Sequence, residues 1–240
     1  MKNCIRIESQ QLPKSVPSLR KLDDQTWKNC IFSYLLTYYR DTDSQTIQDI
    51  IAIERQRPIA EIEKAIKKHI RRWFDNNEKF QYEGFILNNE SSSEGVKEGY
   101  YDLKFEHSYW NNPKTYFAFE CKNLGASRLI DEYVYAESTK KIDGGMYRFF
   151  IGKYGITQHF GGMIGFIIEK TNEPIIEKLI EKIISVYVPN SDGELVGGKI
   201  ARQSIFDNTN TFDSIHARKN ISSNINEEFR LHHLIMDFTL

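Results

Sequence analysis

The spacing of the apolar residues changes after the first third of the chain, and this change limits the folds that are open to it. Between residue 24 and Asp75-Asn76-Asn77 the apolar residues recur at helical spacing, and directly after this point, in 80–88 and 100–107, they alternate in the manner of strands. A chain with both patterns has to pack helices against a sheet in order to bury its apolar residues. We predict an N-terminal helical region over 1–77 that packs on a core over 78–240, within one compact unit.

The individual elements follow from the same periodicity. Pro58 predicts a break in the second helical segment, and Gly144-Gly145 predicts the end of the third. Predicted helices cover 24–40, 43–75, 128–142 and 172–188, and predicted strands cover 80–88, 100–107, 116–122, 162–168 and 229–238. Irregular segments are expected at 8–21, as a hairpin-like loop at 109–114, and in a region rich in Gly, Asn and Ser between 188 and 229. This order predicts the α/β class, with three layers (α/β/α) around a central mixed sheet.

Composition excludes several classes of protein. The 240 residues carry a net charge of −1, with 40% apolar and 27% charged residues, so neither a disordered chain nor an overall basic protein is indicated. Cys4, Cys30 and Cys121 have no paired spacing, which argues against a disulfide framework or a cysteine zinc site. No apolar run approaches the roughly 18 residues of a membrane span. We expect a cytoplasmic protein with no membrane partner.

Three charged residues interrupt two of the predicted strands. Alternate residues of a strand share a face, so Glu120 and Lys122 are neighbours, and pairing with the preceding strand brings Asp102 beside Glu120. Two adjacent carboxylates repel each other unless a divalent cation lies between them, and Mg²⁺ prefers such oxygen ligands. Lys122 would position or activate a water molecule, or stabilise charge on a phosphate. The trio therefore predicts phosphodiester hydrolysis.

The motifs G-x-x-D-L at 99–103 and F-x-F-E-C-K at 117–122 resemble those of the PD-(D/E)XK nuclease superfamily, which has the restriction-endonuclease-like fold. By this resemblance Asp102 is the first acid, Glu120 the second acid and Lys122 the lysine of the motif. The resemblance further implies that Asp102, Glu120 and the backbone carbonyl of Cys121 hold the metal. It covers residues 78–168 and departs from the motif at Tyr101, where the family pattern has Pro.

Members of the superfamily often carry a further catalytic Glu on a preceding helix, and Glu63 is the candidate here. It lies at the edge of the apolar face of its predicted helix, whereas Glu61 should point to water. Glu83 and Glu90 are alternatives, because they lie closer in sequence to Asp102.

Four basic residues are candidates for contact with nucleic acid. Arg148 and Lys153 follow a glycine turn, and Arg71 and Arg72 belong to the basic stretch 67–73, for which a solvated helix surface is the first interpretation. Three histidines near the C-terminus are expected to be hydrogen-bonded structural groups rather than zinc ligands: His216, His232 and His233. Cys121 is expected on the core face of its strand.

The resemblance implies a Mg²⁺-dependent endonuclease that acts on DNA, with Mn²⁺ able to substitute for Mg²⁺. It also implies a role in restriction or anti-phage defence, with repair or mobile-element processing as the competitor, and a homodimer or an activating protein as partner. The alternative is an inactive protein of the same fold that binds nucleic acid or another protein.

Overall fold

A computed structural model of the chain describes most residues from Asp24 onward. The described residues are 24–89, 93, 99–108, 115–135, 137–138, 141–142, 144–151, 153–155, 158–171, 174–186, 199–201, 210–219 and 226–239. The expected irregular segments at 8–21 and 109–114, and Glu90, lie outside them.

The described elements alternate between helices and strands after an all-helical start. The helices are α1 (Asp24–Asp41), α2 (Ser44–Glu54), α3 (Ala60–Asp75), α4 (Glu78–Tyr82), α5 (Ser127–Val134), α6 (Tyr147–Phe150) and α7 (Ile175–Val186). The strands are β1 (Phe85–Asn89), β2 (Leu103–His107), β3 (Phe117–Leu124), β4 (Glu137–Ser138), β5 (Lys141–Ile142), β6 (Phe160–Ile167), β7 (Lys199–Ala201), β8 (Thr211–Lys219) and β9 (Asn226–Asp237).

Within the described part of the chain, seven strands form one sheet in the order β1-β2-β3-β6-β9-β8-β7. The β3–β6 and β6–β9 pairs are parallel, and the other four pairs are antiparallel. Strands β4 and β5 form a separate antiparallel pair. The predicted α/β class with a mixed sheet is confirmed.

Helices cover both faces of this sheet. On one face, buried residues of α1 to α4 pack against Phe117, Phe119 and Cys121 of β3. On the other face, buried residues of α5, α6 and α7 pack around Ala118 and Met163. The side chains of β3 therefore alternate between two cores, and Cys121 is fully buried on the side facing α3, as the sequence predicts. The division of the chain at residue 77 stays a prediction.

Two predicted elements are wrong in part. The first part of the predicted strand 80–88 belongs to helix α4 instead. This helix forms because the Asn77 side chain accepts a hydrogen bond from the Phe80 amide (2.9 Å) and caps its first turn. Gly84, with φ of +85°, then turns the chain into β1. The predicted helix 128–142 ends at Val134, since the Tyr133 carbonyl accepts from the Met146 amide (3.0 Å) instead of continuing the helix.

Strands β7 and β8 were not predicted, because they lie in the stretch that was expected to contain a loop region. Polar residues occupy buried positions of β8, among them Ser214, His216 and Arg218, so the usual alternation of apolar and polar residues is missing. None of the described helices has both the length and the hydropathy of a membrane span.

Glycines of β6 let aromatic side chains lie directly over this strand. A Cβ at Gly162 would overlap the ring of Phe119, its partner on β3, and that ring already packs against Phe105 and Phe117. A Cβ at Gly165 would instead meet the terminal methyl groups of Leu124 and Ile235, which can rotate away. The position of β3 relative to β6 thus depends on a glycine at 162.

We expect Gly162→Ala to lower the free energy of unfolding by about 1–3 kcal/mol, because the Phe119 ring cannot yield without shifting β3. Gly165→Ala is the matched control in the same strand and should cost less, since flexible methyl groups make way for the new Cβ. Urea unfolding of the three proteins measures both changes. Equal losses would show that the Phe119 ring does not set the spacing.

Candidate active site at the end of the β2–β3 pair

The site lies where β2 separates from β3. The last residue pair between the two strands joins Leu103 to Phe119, and Asp102 immediately precedes β2. The Cys121 amide, beyond this last pair, donates to Oδ2 of Asp102 (2.7 Å). The carboxylate of Asp102 thus takes the place of a backbone acceptor, and it lies at the β3 segment that carries Glu120.

Glu120 and Lys122 form an ion pair on one face of β3. Nζ of Lys122 lies 2.8 Å from Oε1 of Glu120, and it also donates to the carbonyl of Cys121 (2.8 Å). The Glu120 side chain is fully buried, whereas that of Lys122 is 17% exposed. The carboxylate therefore lies at the bottom of the site and the ammonium nearer to solvent.

Helix α3 contributes a third carboxylate and a second ammonium. Oε2 of Glu63 lies 3.4 Å from Nζ of Lys122. Lys67, one turn further along α3, donates to Oδ1 of Asp102 and lies 3.3 Å from Oε1 of Glu63. The structure therefore places the helical candidate Glu63 beside Asp102, Glu120 and Lys122.

Two of the other acids weighed for this position, Glu83 and Glu61, lie elsewhere, and Glu90 is outside the described residues. Glu83 accepts a hydrogen bond from the Tyr34 hydroxyl (2.6 Å) on α1. Glu61 pairs with Lys64 at 2.6 Å, on a more exposed side of α3 than Glu63.

Arg148 of α6 completes the cluster from the other side of Glu120. Its Nη1 lies 2.9 Å and 3.1 Å from the two carboxylate oxygens of Glu120 and donates to the Tyr154 hydroxyl (2.9 Å). That hydroxyl donates in turn to the carbonyl of Tyr100, two residues before Asp102. Arg148 was predicted to contact phosphate, and in this structure its guanidinium binds a buried carboxylate.

The remaining basic candidates for contact with nucleic acid are Lys153, Arg71 and Arg72. Lys153 lies next to Gly99 and is partly exposed. Arg71 and Arg72 are exposed on α3, and Arg71 pairs with Asp75 (3.4 Å). The interpretation of 67–73 as a solvated face is wrong at Lys67, which is buried against Asp102.

Sequence reasoning did not identify Lys67 or Tyr154 as part of the site. A signal for Lys67 exists, because it follows Glu63 by four residues and therefore shares its side of the helix. No comparable signal marks Tyr154, whose position depends on how the chain turns after α6.

Acidic and basic side chains of the cluster are equal in number. The three carboxylates of Glu63, Asp102 and Glu120 contact three cationic side chains, which are Lys67, Lys122 and Arg148. Such close pairing offsets part of the desolvation cost that each buried charge carries.

Burial and charge act in opposite directions on the acids. Burial raises the pKa of Asp102, but the ammonium groups of Lys122 and Lys67 and the hydrogen bond from the Cys121 amide outweigh it, so the pKa lies below its ordinary value. Burial dominates at Glu63 and at Glu120 and raises the pKa of each carboxyl. Asp102 is therefore the carboxylate most firmly held in its ionised form.

The ammonium of Lys122 stays protonated at neutral pH. Burial alone lowers its pKa, but the carboxylates of Glu120, Glu63 and Asp102 more than compensate and raise the pKa above the ordinary value of a lysine. Lys122 can therefore donate hydrogen bonds and stabilise negative charge, but it is a poor proton acceptor here.

The donors at the site suit a hard divalent cation. Carboxylates of Glu63, Asp102 and Glu120 and the carbonyl of Cys121 are the oxygen ligands that Mg²⁺ takes. Among the described residues, no group of three or more His, Cys, Asp or Glu side chains is already arranged around one ion position. In this structure the ammonium groups of Lys67 and Lys122 contact the carboxylates instead.

The C-terminal histidines take part in two sets of hydrogen bonds that involve β8 and β9. Nε2 of His216 lies 2.7 Å from Oγ of Ser214, which lies 2.8 Å from Nε2 of His233, and Nδ1 of His233 lies 2.9 Å from the Tyr133 hydroxyl. Nδ1 of His232 lies 2.8 Å from Oδ1 of Asp213. These contacts support a structural role.

Arg218 of β8 ties two stretches of backbone to the sheet. Its guanidinium donates to the carbonyls of Gly155 (2.8 Å) and Gln158 (2.5 Å) and packs over the ring of Phe229. These contacts hold Gly155 and Gln158, which lie between α6 and β6, against β8.

Acid should destabilise the protein through its buried histidines. Burial lowers the pKa of His216 to about 3, so in the range below the ordinary value of 6.5 the unfolded chain binds a proton that the folded chain does not. The stability that His216 contributes is therefore present above pH 6.5 and is lost as the pH falls toward 3. Between pH 7.5 and pH 5 this loss amounts to about 2 kcal/mol.

Between pH 7.5 and pH 5, the free energy of unfolding of His216→Gln should fall by about 2 kcal/mol less than that of the wild type, because glutamine does not titrate. Urea unfolding at a series of pH values measures the difference. The carboxyl groups of the site titrate in both proteins, so they cancel in the comparison. Identical pH dependence would contradict the burial of a neutral His216.

Comparisons of the chain with protein-family models, with curated proteins and with solved structures found no match. What the site does has to be inferred from its own residues.

Proposed function

We propose that the protein is a metal-dependent nuclease that hydrolyses phosphodiester bonds of nucleic acid. The observation that carries this proposal is the convergence of Glu63, Asp102, Glu120 and Lys122 at the point where β2 separates from β3. Three carboxylates and one ammonium at a partly solvent-exposed position are suited to bind a divalent cation together with a phosphate.

The order and direction of the strands support a restriction-endonuclease-like fold. Strands β1, β2 and β3 are antiparallel neighbours, α5 follows β3, and β6 then pairs with β3 in parallel. This arrangement puts the two motif acids, Asp102 and Glu120, at adjacent positions, as the resemblance implies.

The residues of the site divide the work of hydrolysis. Asp102, Glu120 and the carbonyl of Cys121 would hold a Mg²⁺ or Mn²⁺ ion, with Glu63 as a further oxygen donor. When bound, the ion lowers the pKa of a coordinated water and offsets charge on the phosphate. Lys122, because it stays protonated, orients the attacking water by hydrogen bonding and stabilises the negative charge that develops on the phosphate.

DNA is proposed as the substrate because of the motif resemblance. A role in restriction or anti-phage defence, action as a homodimer and dependence on an activating protein are proposals of the same kind. The competing function is a nucleic-acid-binding or protein-interaction module without catalysis. The ion pairs that Lys67 and Arg148 make with Asp102 and Glu120 favour this alternative, because each of them joins a proposed metal ligand to a cationic side chain.

Cleavage assays test the proposal directly. We expect the purified protein to cut supercoiled plasmid, linear duplex or single-stranded DNA with Mg²⁺ or Mn²⁺, and to lose this activity in EDTA. Asp102→Asn and Lys122→Met should each reduce the rate by at least about 100-fold, since each removes a group that acts on the reacting phosphate or its metal.

The control variant is Lys64→Ala, which removes an exposed ammonium of the same helix that pairs with Glu61. It should cut at the wild-type rate. Binding of intact DNA in EDTA, with no cleavage under any condition, would favour the binding module. Cleavage that survives both Asp102→Asn and Lys122→Met would contradict the proposed site.

The exposed arginines of α3 provide a test of how nucleic acid is bound. If Arg71 and Arg72 contact phosphates, the double variant Arg71→Ala, Arg72→Ala should bind DNA more weakly. The negative slope of log affinity against log salt concentration should also become shallower by roughly 2. Fluorescence anisotropy in EDTA measures this slope. Arg57→Ala, which removes an exposed arginine paired with Glu54, is the matched control. An unchanged slope in the double variant would exclude these contacts.

A further inference from the structure

Lys67 contacts two of the carboxylates that are proposed to bind a divalent cation. Its ammonium contacts Oδ1 of Asp102 and lies 3.3 Å from Oε1 of Glu63. Asp102 uses its other oxygen, Oδ2, to accept from the Cys121 amide. Oδ1 takes no part in that hydrogen bond and is the Asp102 oxygen that Lys67 holds, so a metal ion that binds Oδ1 meets the ammonium of Lys67 there.

The exposure of the side chains shows from which direction an ion would enter. The Glu120 side chain is fully buried, whereas those of Asp102 and Glu63 are 12% and 15% exposed. Lys67 is 10% exposed and lies between these two acids. An ion from solvent meets Asp102 and Glu63 first, and there it meets the ammonium of Lys67.

We propose that Lys67 is an internal competitor of the divalent cation, so that the site is closed by an ion pair until a metal displaces the lysine. This inference rests on the proposed metal-dependent function and adds a mode of regulation to it. Two cations cannot share Oδ1 of Asp102 at hydrogen-bonding and coordination distances without strong repulsion. Loading of the metal therefore requires the flexible Lys67 side chain to swing away from Asp102 and Glu63.

The charge balance of the cluster determines the direction of the effect. With Lys67 present, three carboxylates face three cationic groups, and the site has no excess negative charge to attract an ion. Without the Lys67 ammonium the cluster has one excess negative charge. Substitution of Lys67 by a neutral residue should therefore strengthen metal binding. If Lys67 had only a structural role, the same substitution would weaken metal binding or leave it unchanged.

The test is titration calorimetry with Mn²⁺ alone. We expect Lys67→Met to bind Mn²⁺ at least about tenfold more tightly than the wild type, because a unit charge within a few ångströms of a divalent ion is removed. Lys67→Gln is the second variant, for use if methionine is poorly tolerated at this position. The glutamine amide is neutral but can still donate a hydrogen bond to Asp102. Both are checked for native circular dichroism before titration. Lys64→Met, on the exposed side of the same helix, should bind Mn²⁺ as the wild type does.

Adding Asp102→Asn to Lys67→Met should abolish the tight binding, which places the ion at this site. Thermal unfolding gives a second readout, because the metal-free variants should unfold at lower temperature and gain more from Mn²⁺ than the wild type. Equal or weaker Mn²⁺ binding in both Lys67 variants, with binding still dependent on Asp102, would overturn competition and leave the nuclease proposal standing. If neither the wild type nor any variant binds Mn²⁺ in a way that depends on Asp102, both the competition by Lys67 and the proposed metal-dependent nuclease are contradicted.

Discussion

The hydrogen bond between the Asp102 carboxylate and the Cys121 amide is the contact on which the site depends. A buried backbone N–H needs an acceptor, and in a continuing sheet the neighbouring strand would supply it. Here a side chain supplies it, so β2 can leave β3 without an unsatisfied amide. The opening that results is filled by side chains of α3. One carboxylate thus ends a strand pair and takes part in a cluster of charges.

The charged cluster is unusual for a position that could have been apolar. Apolar residues of similar size would have covered the opening between β2 and β3 at no electrostatic cost, and buried ion pairs seldom stabilise a protein more than such residues do. Glu120 in particular is fully buried and depends on Lys122 and Arg148 for compensation. The proposed nuclease function would give a reason for a network with this cost.

Sequence patterns predict those parts of the site that a single element determines. The alternation of β3 places Glu120 and Lys122 on one face, and the apolar stripe of α3 places Glu63 at its edge, where the structure has them. Lys67 was assigned to a solvated surface, because a basic stretch shows nothing of the acid that packs against it from another element. Strand β8 was missed for a related reason, since several of its buried residues, Ser214 and His216 among them, are polar and hydrogen-bonded.

The pairing of acids and bases in the cluster has a consequence for the evolution of such a chain. Each carboxylate contacts at least one cationic side chain, so a substitution that removes one carboxylate leaves the buried cluster with an excess positive charge, which costs stability. A lineage that abandoned the site would therefore lose stability at its first step unless an acid and a base were lost together. The same coupling slows the gradual loss of the site, because each single step carries a cost in folding.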